Sequence, residues 1–323
     1  MENTPVFTND AIVLGILMIA LGFVFLTSAK ESGFWKKFYS VVPALLMCYL
    51  IPAIFNSLGI ISDSTSQLYT VASRYFLPAA LVLMTLSIDL KAIFNLGPKA
   101  LIMFFTGTIG IIIGGPIAIL IISAISPETV GGAGPDAIWR GLSTLAGSWI
   151  GGGANQAAML EIYEYNPEKY GGMVLVDIVV ANIWMALLLM GIGKSEKIDN
   201  WLKADTTAIT ELKNKVSDYA ASITRNPSLA DFIVMLAIAF GAVGFAHWGA
   251  NGIADFLKAN FDAINDTKSA LASFSSEFFW MITIATAIGI ILSFTRFKQY
   301  EGAGASKIGS IFIYFLVATI GMK

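Results

Sequence analysis

The feature that most constrains this chain is a series of long apolar runs, each close to the length needed to cross a lipid bilayer. A membrane core of roughly 30 Å requires a helix of about 20 apolar residues, and 56% of the 323 residues are apolar whereas only 13% are charged. We therefore expect an all-α polytopic membrane protein whose first partner is the lipid bilayer. The net charge of −2 gives no reason to expect a nucleic-acid partner. The eight runs lie at 11–28, 38–55, 72–90, 100–125, 172–192, 229–248, 278–294 and 308–322.

A glycine-rich stretch interrupts this pattern between the fourth and fifth runs. Residues 147–159 read GSWIGGGANQAAM, which combines four glycines with a serine, an asparagine and a glutamine. In lipid, irregular backbone is tolerated only where it is buried in protein or lines a watery cavity. The segment 140–160 is therefore predicted to be either a broken helix that crosses the membrane or a re-entrant hairpin that turns back.

The distribution of lysine and arginine favours the hairpin. If 140–160 turns back, the loops at 29–37, 91–99, 194–227 and 295–307 share one side and hold 14 of the 20 basic residues. Cytoplasmic loops of membrane proteins are enriched in lysine and arginine, so this side is predicted to be cytoplasmic and the N-terminus to lie outside. The expected location is the inner membrane of a bacterial cell.

Two short matches indicate an internal repeat of opposite orientation. Ala72-Ser73-Arg74 begins the third run and Ala305-Ser306-Lys307 begins the eighth, and the predicted topology sends these runs through the membrane in opposite directions. Inverted repeats are typical of secondary transporters, whose sites lie near the midplane on discontinuous helices. We expect a first membrane repeat at 1–193, a cytoplasmic amphipathic linker at 194–227 and a partial second repeat at 228–323. The second repeat is predicted to be truncated because no second glycine-rich element follows the eighth run.

The glycine-rich stretch also supplies most of the candidate site residues. The run Gly151–Gly153 would break the helix and let a ligand approach the backbone, and the freed carbonyls or amides would suit Na⁺ or an anionic group. Ser148, Asn155 and Gln156 add polar side chains on both flanks. Close helix packing through small residues is the alternative, but it explains the glycines and leaves the two amides without a role.

Two polar residues in the fifth run, Asp177 and Asn182, extend the candidate site. An aspartate at the centre of a membrane helix costs about 2.5–3.5 kcal/mol on insertion scales, so Asp177 is predicted to bind Na⁺ or to carry a proton. A structural hydrogen bond between two helices is the alternative. Arg74 is interpreted as an interfacial cation that reaches toward water, and His247 as part of an aromatic belt.

The chain resembles a known family. The order of its segments, the stretch GSWIGGGANQAAM and the following VLVDIVVANIW at 174–184 are similar to the YjcL-like family of uncharacterised bacterial membrane proteins (DUF819). That family is similar in fold to sodium-coupled glutamate, citrate and bile-acid symporters and to cation/proton antiporters. The resemblance implies a core domain with the broken elements, a scaffold domain that forms a homodimer, and alternating access by an elevator-type movement. It implies no substrate.

These features together predict an ion-coupled secondary active transporter, driven by Na⁺ or H⁺, for a small polar or anionic solute. A cation/proton antiporter is an alternative. A channel would share the glycines but would ordinarily repeat its pore motif by oligomer symmetry, and an intramembrane enzyme would need a catalytic motif such as HExxH or CxxC, which the sequence lacks. We therefore expect no enzymatic activity and no cofactor other than Na⁺, bound near Asn155 and Asp177.

Overall fold

The chain forms helices joined by short turns throughout the part that the structure describes. The computed structural model describes residues 5–40, 42–86, 88, 98–192, 201, 225–265 and 271–323. Every regular element in these ranges is a helix or a helical turn, which confirms the all-α prediction. Most of the predicted linker 194–227 lies outside the described residues.

Fourteen helices are found in the described ranges. In chain order they are α1 Asp10–Ser28, α2 Gly33–Tyr39, α3 Ala44–Ser57, α4 Leu68–Val71, α5 Leu77–Leu86, α6 Pro98–Ile125, α7 Pro127–Val130, α8 Ile138–Gly151, α9 Gly153–Ile162, α10 Pro167–Ile192, α11 Leu229–Asn260, α12 Asp262–Asn265, α13 Glu277–Ser293 and α14 Ala305–Gly321. A π-helical turn at Ala72–Phe76 joins α4 to α5. Short 3₁₀ turns occupy Asp63–Thr65, Ala272–Ser275 and Arg296–Ala303.

Several of these helices match the length and apolarity of a membrane span. Among the described residues, α1, the continuous helix Leu68–Leu86, the segment Leu101–Ile125 of α6, and α11 are each long and apolar enough to cross a bilayer. Two bent pairs of helices, α2 with α3 and α13 with the turn at Arg296–Ala303, raise the number of candidate membrane spans from four to six if each pair forms one span. The multi-pass prediction is therefore confirmed at this level.

The predicted run 38–55 differs from the observed helix at its start. The structure ends α2 at Tyr39 and begins α3 only at Ala44, with Pro43 at the N-cap position in an extended conformation. Proline lacks a backbone N–H and disfavours a helical conformation in the residue before it. The start of the apolar run is therefore not the start of its helix.

The helix α5 lies at the centre of the described bundle, packed against α11, α13 and α14. Glycines let two of these neighbours come to backbone distance. A Cβ atom on Gly309 of α14 would lie 3.1 Å from the carbonyl oxygen of Ala80, and one on Gly289 of α13 would lie 2.9 Å from that of Val82. Small residues at helix crossings are typical of membrane proteins, where close packing replaces the hydrophobic effect between helices.

Candidate functional site

The glycine-rich stretch forms a helical hairpin that turns at Gly152. This glycine separates α8 from α9 and has φ +83° and ψ −174°, a combination that is essentially restricted to glycine. The two helices run in opposite directions. Arg140 near the start of α8 donates a hydrogen bond to the carbonyl of Tyr163 just beyond the end of α9, which shows that these two ends lie side by side. The helix break predicted within 140–160 therefore lies at Gly152, and the two flanking helices together span 138–162.

Two further glycines allow the arms of the hairpin to touch. A Cβ atom on Gly147 would lie 2.8 Å from the backbone oxygen of Asn155, and one on Gly151 would overlap the side-chain amide of the same asparagine. Gly153 plays neither role, because it is helical and its Cβ would meet only Leu45 at 3.9 Å. Three of the four glycines thus have a structural task, one at the turn and two at the contact between the arms.

The open end of the hairpin is held together by polar contacts. Lys169 forms an ion pair of 2.9 Å with Asp136, and the side chain of Asn166 donates to the same carboxylate at 2.8 Å. The backbone N–H of Asn166 also donates to the carbonyl of Pro135 at 3.0 Å. The Lys169 ammonium and the Asn166 amide hold the pKa of Asp136 below its ordinary value. Both ends of the hairpin therefore emerge at the same end of the protein.

Asp177 of α10 accepts two hydrogen bonds from the first arm of the hairpin. Ser148 Oγ donates to one carboxylate oxygen at 2.7 Å, and Trp149 Nε1 donates to the other at 2.6 Å. An ionised carboxylate has about four acceptor positions, so these two donors leave acceptor capacity on a side chain that is only partly buried. Within the described ranges no three His, Cys, Asp or Glu side chains are grouped to hold a metal ion, so Asp177 acts here as a single carboxylate.

Gln156 of α9 is buried and incompletely hydrogen-bonded. Its side chain is 1% exposed, and its Nε2 atom has no hydrogen-bond partner among the residues that the structure describes. Its backbone N–H donates to the carbonyl of Gly152 at 3.0 Å, which makes this the first hydrogen bond of α9. The N–H groups of the three preceding residues come before it, at the helix end where amides lack intrahelical partners. Buried polar groups are otherwise almost always paired.

Asn182 does not join this group. Its side-chain amide donates to the carbonyl of Ile178 on its own helix at 2.8 Å, and its side chain is exposed. The structure thus brings Ser148 and Asp177 into direct contact, places Asn155 over Gly151, and leaves Asn182 apart on α10.

Trp149 is a site residue that the sequence reasoning missed. A tryptophan in an apolar segment has a sufficient explanation in its ring, yet here its indole N–H donates a hydrogen bond to Asp177. The only available signal was its position next to Ser148, since neighbouring residues at one end of a helix can both reach a carboxylate on a packed helix. The indole N–H can only donate, so the carboxylate of Asp177 is a suitable partner for it.

Comparison with known proteins gives a family and a relative. A family model described as "Protein of unknown function (DUF819)" matches residues 15–323. The chain is also 24% identical over 307 residues to the uncharacterized membrane protein YjcL of Bacillus subtilis (strain 168), a match that covers 93% of this chain and 72% of that protein. No solved structure matches the chain.

Proposed function

We propose that this chain, which belongs to the DUF819 family of proteins of unknown function, is a secondary active transporter with its ion and solute site at the tip of the α8–α9 hairpin. It would couple Na⁺ or H⁺ to the movement of a small polar or anionic solute. The observation that carries the proposal is the helix break at Gly152 beside the carboxylate of Asp177.

The exposed backbone at the turn supports a binding role. Gly151 and Gly152 are both exposed, although the residues around them lie in apolar helices. In a bilayer such a break needs a cavity or a protein partner to satisfy its backbone groups. Carbonyls at a helix end can bind Na⁺, and amides at the start of α9 can bind an anionic group. Discontinuous helices typically form the binding sites of secondary transporters built from internal repeats, so the geometry agrees with this role.

The hydrogen bonds of Asp177 suggest how ion binding would be felt by the rest of the protein. Both of the side chains that donate to it, Ser148 and Trp149, lie on α8, so this carboxylate joins α8 to α10. A proton on Asp177 would turn one acceptor into a donor, and a bound Na⁺ would compete for the same oxygens. Either event would change the contact between the hairpin and α10, which is the kind of coupling that a transporter requires.

The packing of the bundle agrees with an inverted repeat. The alignment that places Ala72 on Ala305 also places α1 on α11, α3 on α13 and α5 on α14. The first set of helices is then α1, α3 and α5, and the second is α11, α13 and α14. The contact of α3 with α14 corresponds to that of α13 with α5. The contact of α1 with α14 corresponds to that of α11 with α5. Such an exchange of partners is what a twofold axis in the membrane plane would produce.

A contact between the π-helical turn and α14 has a counterpart at the equivalent positions, although the counterpart is not aromatic. The ring of Phe76 lies 5.5 Å from that of Phe315. The alignment maps this pair onto Gly309 and Val82, and Gly309 packs on the turn of α5 that contains Val82.

We propose that the two halves move against each other in an elevator-type cycle, with the N-terminus outside and a homodimer as the functional unit.

Ion-specific stabilisation of the purified protein tests the proposal. Thermal melting would be compared in Na⁺, K⁺ and choline at equal ionic strength, at two pH values. We expect either Na⁺ or acidification to stabilise the wild type, because the ion binds only the folded state. Asp177→Asn should abolish this dependence, and Asn182→Ala should keep it as the matched control on the same helix. Identical melting of the wild type under all conditions would contradict ion coupling.

A further inference from the structure

A second polar pocket lies at the π-helical turn, away from the hairpin tip. It has a volume of about 200 Å³ and is bounded by α11, α13 and the turn Ala72–Phe76. Arg74, Glu277 and Phe278 also line a larger neighbouring cavity of about 1380 Å³, so the two spaces adjoin. The pocket is lined by Arg74, His247, Ala250, Asn251, Glu277, Phe278 and Met281.

The π-helical turn places Arg74 and His247 in contact. A π-turn shifts the backbone hydrogen bonds of a helix, and such turns recur at functional sites. Here the carbonyl of Arg74 lies 3.0 Å from Nε2 of His247, which is 173 residues away in the chain. A carbonyl can only accept, so Nε2 carries the hydrogen of this contact. The interaction of His247 with this carbonyl fixes one wall of the pocket.

The guanidinium of Arg74 is free to bind a ligand. It lies 4.9 Å from the centre of the Phe278 ring, and no hydrogen bond or ion pair involves it among the residues that the structure describes. Five N–H donors in a planar fork match a carboxylate or a phosphate in two-point contact. The stacking on Phe278 orients this fork without using any of its donors.

The carboxylate of Glu277 offers the opposite charge in the same pocket. One of its oxygens lies 4.0 Å from the ammonium of Lys258, and 55% of its side chain is exposed. An ion pair this long between exposed groups is weak, so the carboxylate can accept from a bound ammonium. Asn251 of α11 adds an exposed amide to the lining of the pocket.

We propose that this pocket binds a small zwitterion, with its anionic group on Arg74 and its ammonium on Glu277. The volume of the pocket suits a molecule of a few heavy atoms. Two sources share this chemistry: a free amino acid in water, and the phosphate and ammonium of a phosphatidylethanolamine headgroup. The second source is considered because Phe245 and Trp248, which flank His247 in the sequence of α11, are 55% and 73% exposed, as aromatic residues at a membrane interface are. The proposal does not depend on transport at the hairpin tip.

Three matched probes test the pairing of charges: glycine, acetate and methylammonium. Binding to the purified full chain in detergent without phosphatidylethanolamine would be measured by calorimetry. We expect glycine to bind more tightly than either single-charge probe. Arg74→Gln and Glu277→Gln should each weaken glycine binding about tenfold or more, since each removes a charge-assisted contact. Arg74→Lys keeps the charge without the fork and should fall between the wild type and Arg74→Gln.

Control variants separate a local effect from a general one. Arg296→Gln removes an arginine that also stacks on a phenylalanine, Phe297 at 5.7 Å, but that lies at the opposite end of α13. Glu31→Gln removes an exposed carboxylate in the loop after α1. Both controls should bind glycine like the wild type. Melting curves would verify that each variant is folded.

A second experiment distinguishes a free amino acid from a lipid headgroup as the bound zwitterion. Nanodiscs with phosphatidylethanolamine and nanodiscs with phosphatidylglycerol would be compared for lipid retained by the wild type and by Arg74→Gln. Glycine binding in detergent supports a free solute, whereas selective retention of phosphatidylethanolamine that is lost in Arg74→Gln supports a lipid headgroup. If neither ligand binds, or if acetate binds as well as glycine and ignores Glu277→Gln, the zwitterion site is refuted.

Discussion

Replacing Gly152 by alanine should destabilise the hairpin through backbone strain alone. Gly152 has φ +83° and ψ −174°, and a Cβ atom built on it would meet nothing within 4 Å. The substitution therefore adds no clash, and its whole cost is the conformational penalty of a non-glycine residue in this region, about 1–3 kcal/mol. An alanine that relaxes to a helical φ would instead straighten the turn and separate the two arms.

Two neighbouring glycines provide matched controls for this prediction. Gly153→Ala places a Cβ in helical backbone with one ordinary contact, 3.9 Å from Leu45, and the better helix propensity of alanine favours it by up to about 1 kcal/mol. Gly147→Ala keeps a helical backbone but puts the Cβ 2.8 Å from the backbone oxygen of Asn155. Its cost is therefore steric and not conformational.

Thermal melting of the purified variants in detergent is the assay. For domains of 150–250 residues, 1 kcal/mol corresponds to about 2–4 °C, so Gly152→Ala should melt several degrees below the wild type. Gly153→Ala should melt at or above the wild-type temperature. Equal melting of Gly152→Ala and Gly153→Ala would show that the backbone at Gly152 is not held in this conformation, and the account of the turn would be wrong.

Four further predictions follow from the same contacts. Asp177→Leu should lower stability more than Asp177→Asn, because leucine leaves the donors of α8 without an acceptor; equal melting of the two would contradict this. Gln156→Met should raise the melting temperature, because it removes a buried, unpaired nitrogen whose desolvation costs about 1–3 kcal/mol. The same change should reduce ion or solute binding, and unchanged binding would indicate that Gln156 has only a packing role. Asn155→Ala should likewise weaken binding of the ion that stabilises the wild type, as measured by titration, whereas a purely packing role predicts no change. The pKa of Asp136 lies below its ordinary value, so its ion pair with Lys169 contributes stability above about pH 4 and loses it as the pH falls through the lower folded value; the protection factors of the backbone amides of Asp136 and Ala137, corrected for the intrinsic pH dependence of exchange, should be equal at pH 7 and pH 5, and lower protection at pH 5 would argue against the pair.

The helix break could be predicted from the sequence, but the task of each glycine could not. Three consecutive glycines between apolar runs indicate a break wherever it falls. Which of them turns the chain depends on where the two arms meet, and that is set by the contact of Gly147 and Gly151 with Asn155. These contacts arise from the antiparallel packing of two helices and have no signature in the spacing of the residues.

The role of Asp177 could be anticipated only in part. An aspartate in an apolar run is expensive enough to require a partner, and the sequence placed it near the glycine-rich stretch. The identity of the partners depends on the rotation of α10 about its axis. The structure turns Asp177 toward Ser148 and Trp149, and it leaves Asn182, five residues later, on an exposed face.

The pocket at Arg74 lay beyond the reach of the sequence. Arg74 and His247 each had a sufficient explanation at the membrane interface when considered alone. Their contact depends on a π-turn that exposes one carbonyl, and no pattern of residues marks such a turn. The start of α3, by contrast, could have been placed more accurately, because Pro43 is visible in the sequence and limits where a helix can begin.

Accessibility of a single cysteine at the hairpin tip tests the central proposal most directly. Gly153→Cys would be introduced with Cys48→Ala, which removes a thiol that is only 2% exposed, and the protein would be reconstituted with a known orientation. Alternating access predicts that a membrane-impermeant thiol reagent reaches residue 153 from either face, and that Na⁺ or a pH change raises labelling from one face while lowering it from the other. A channel predicts that both faces label together without such a reciprocal shift. Failure to label from either face in the folded protein would contradict a transport site at the hairpin tip and would leave the glycine-rich stretch with a packing role.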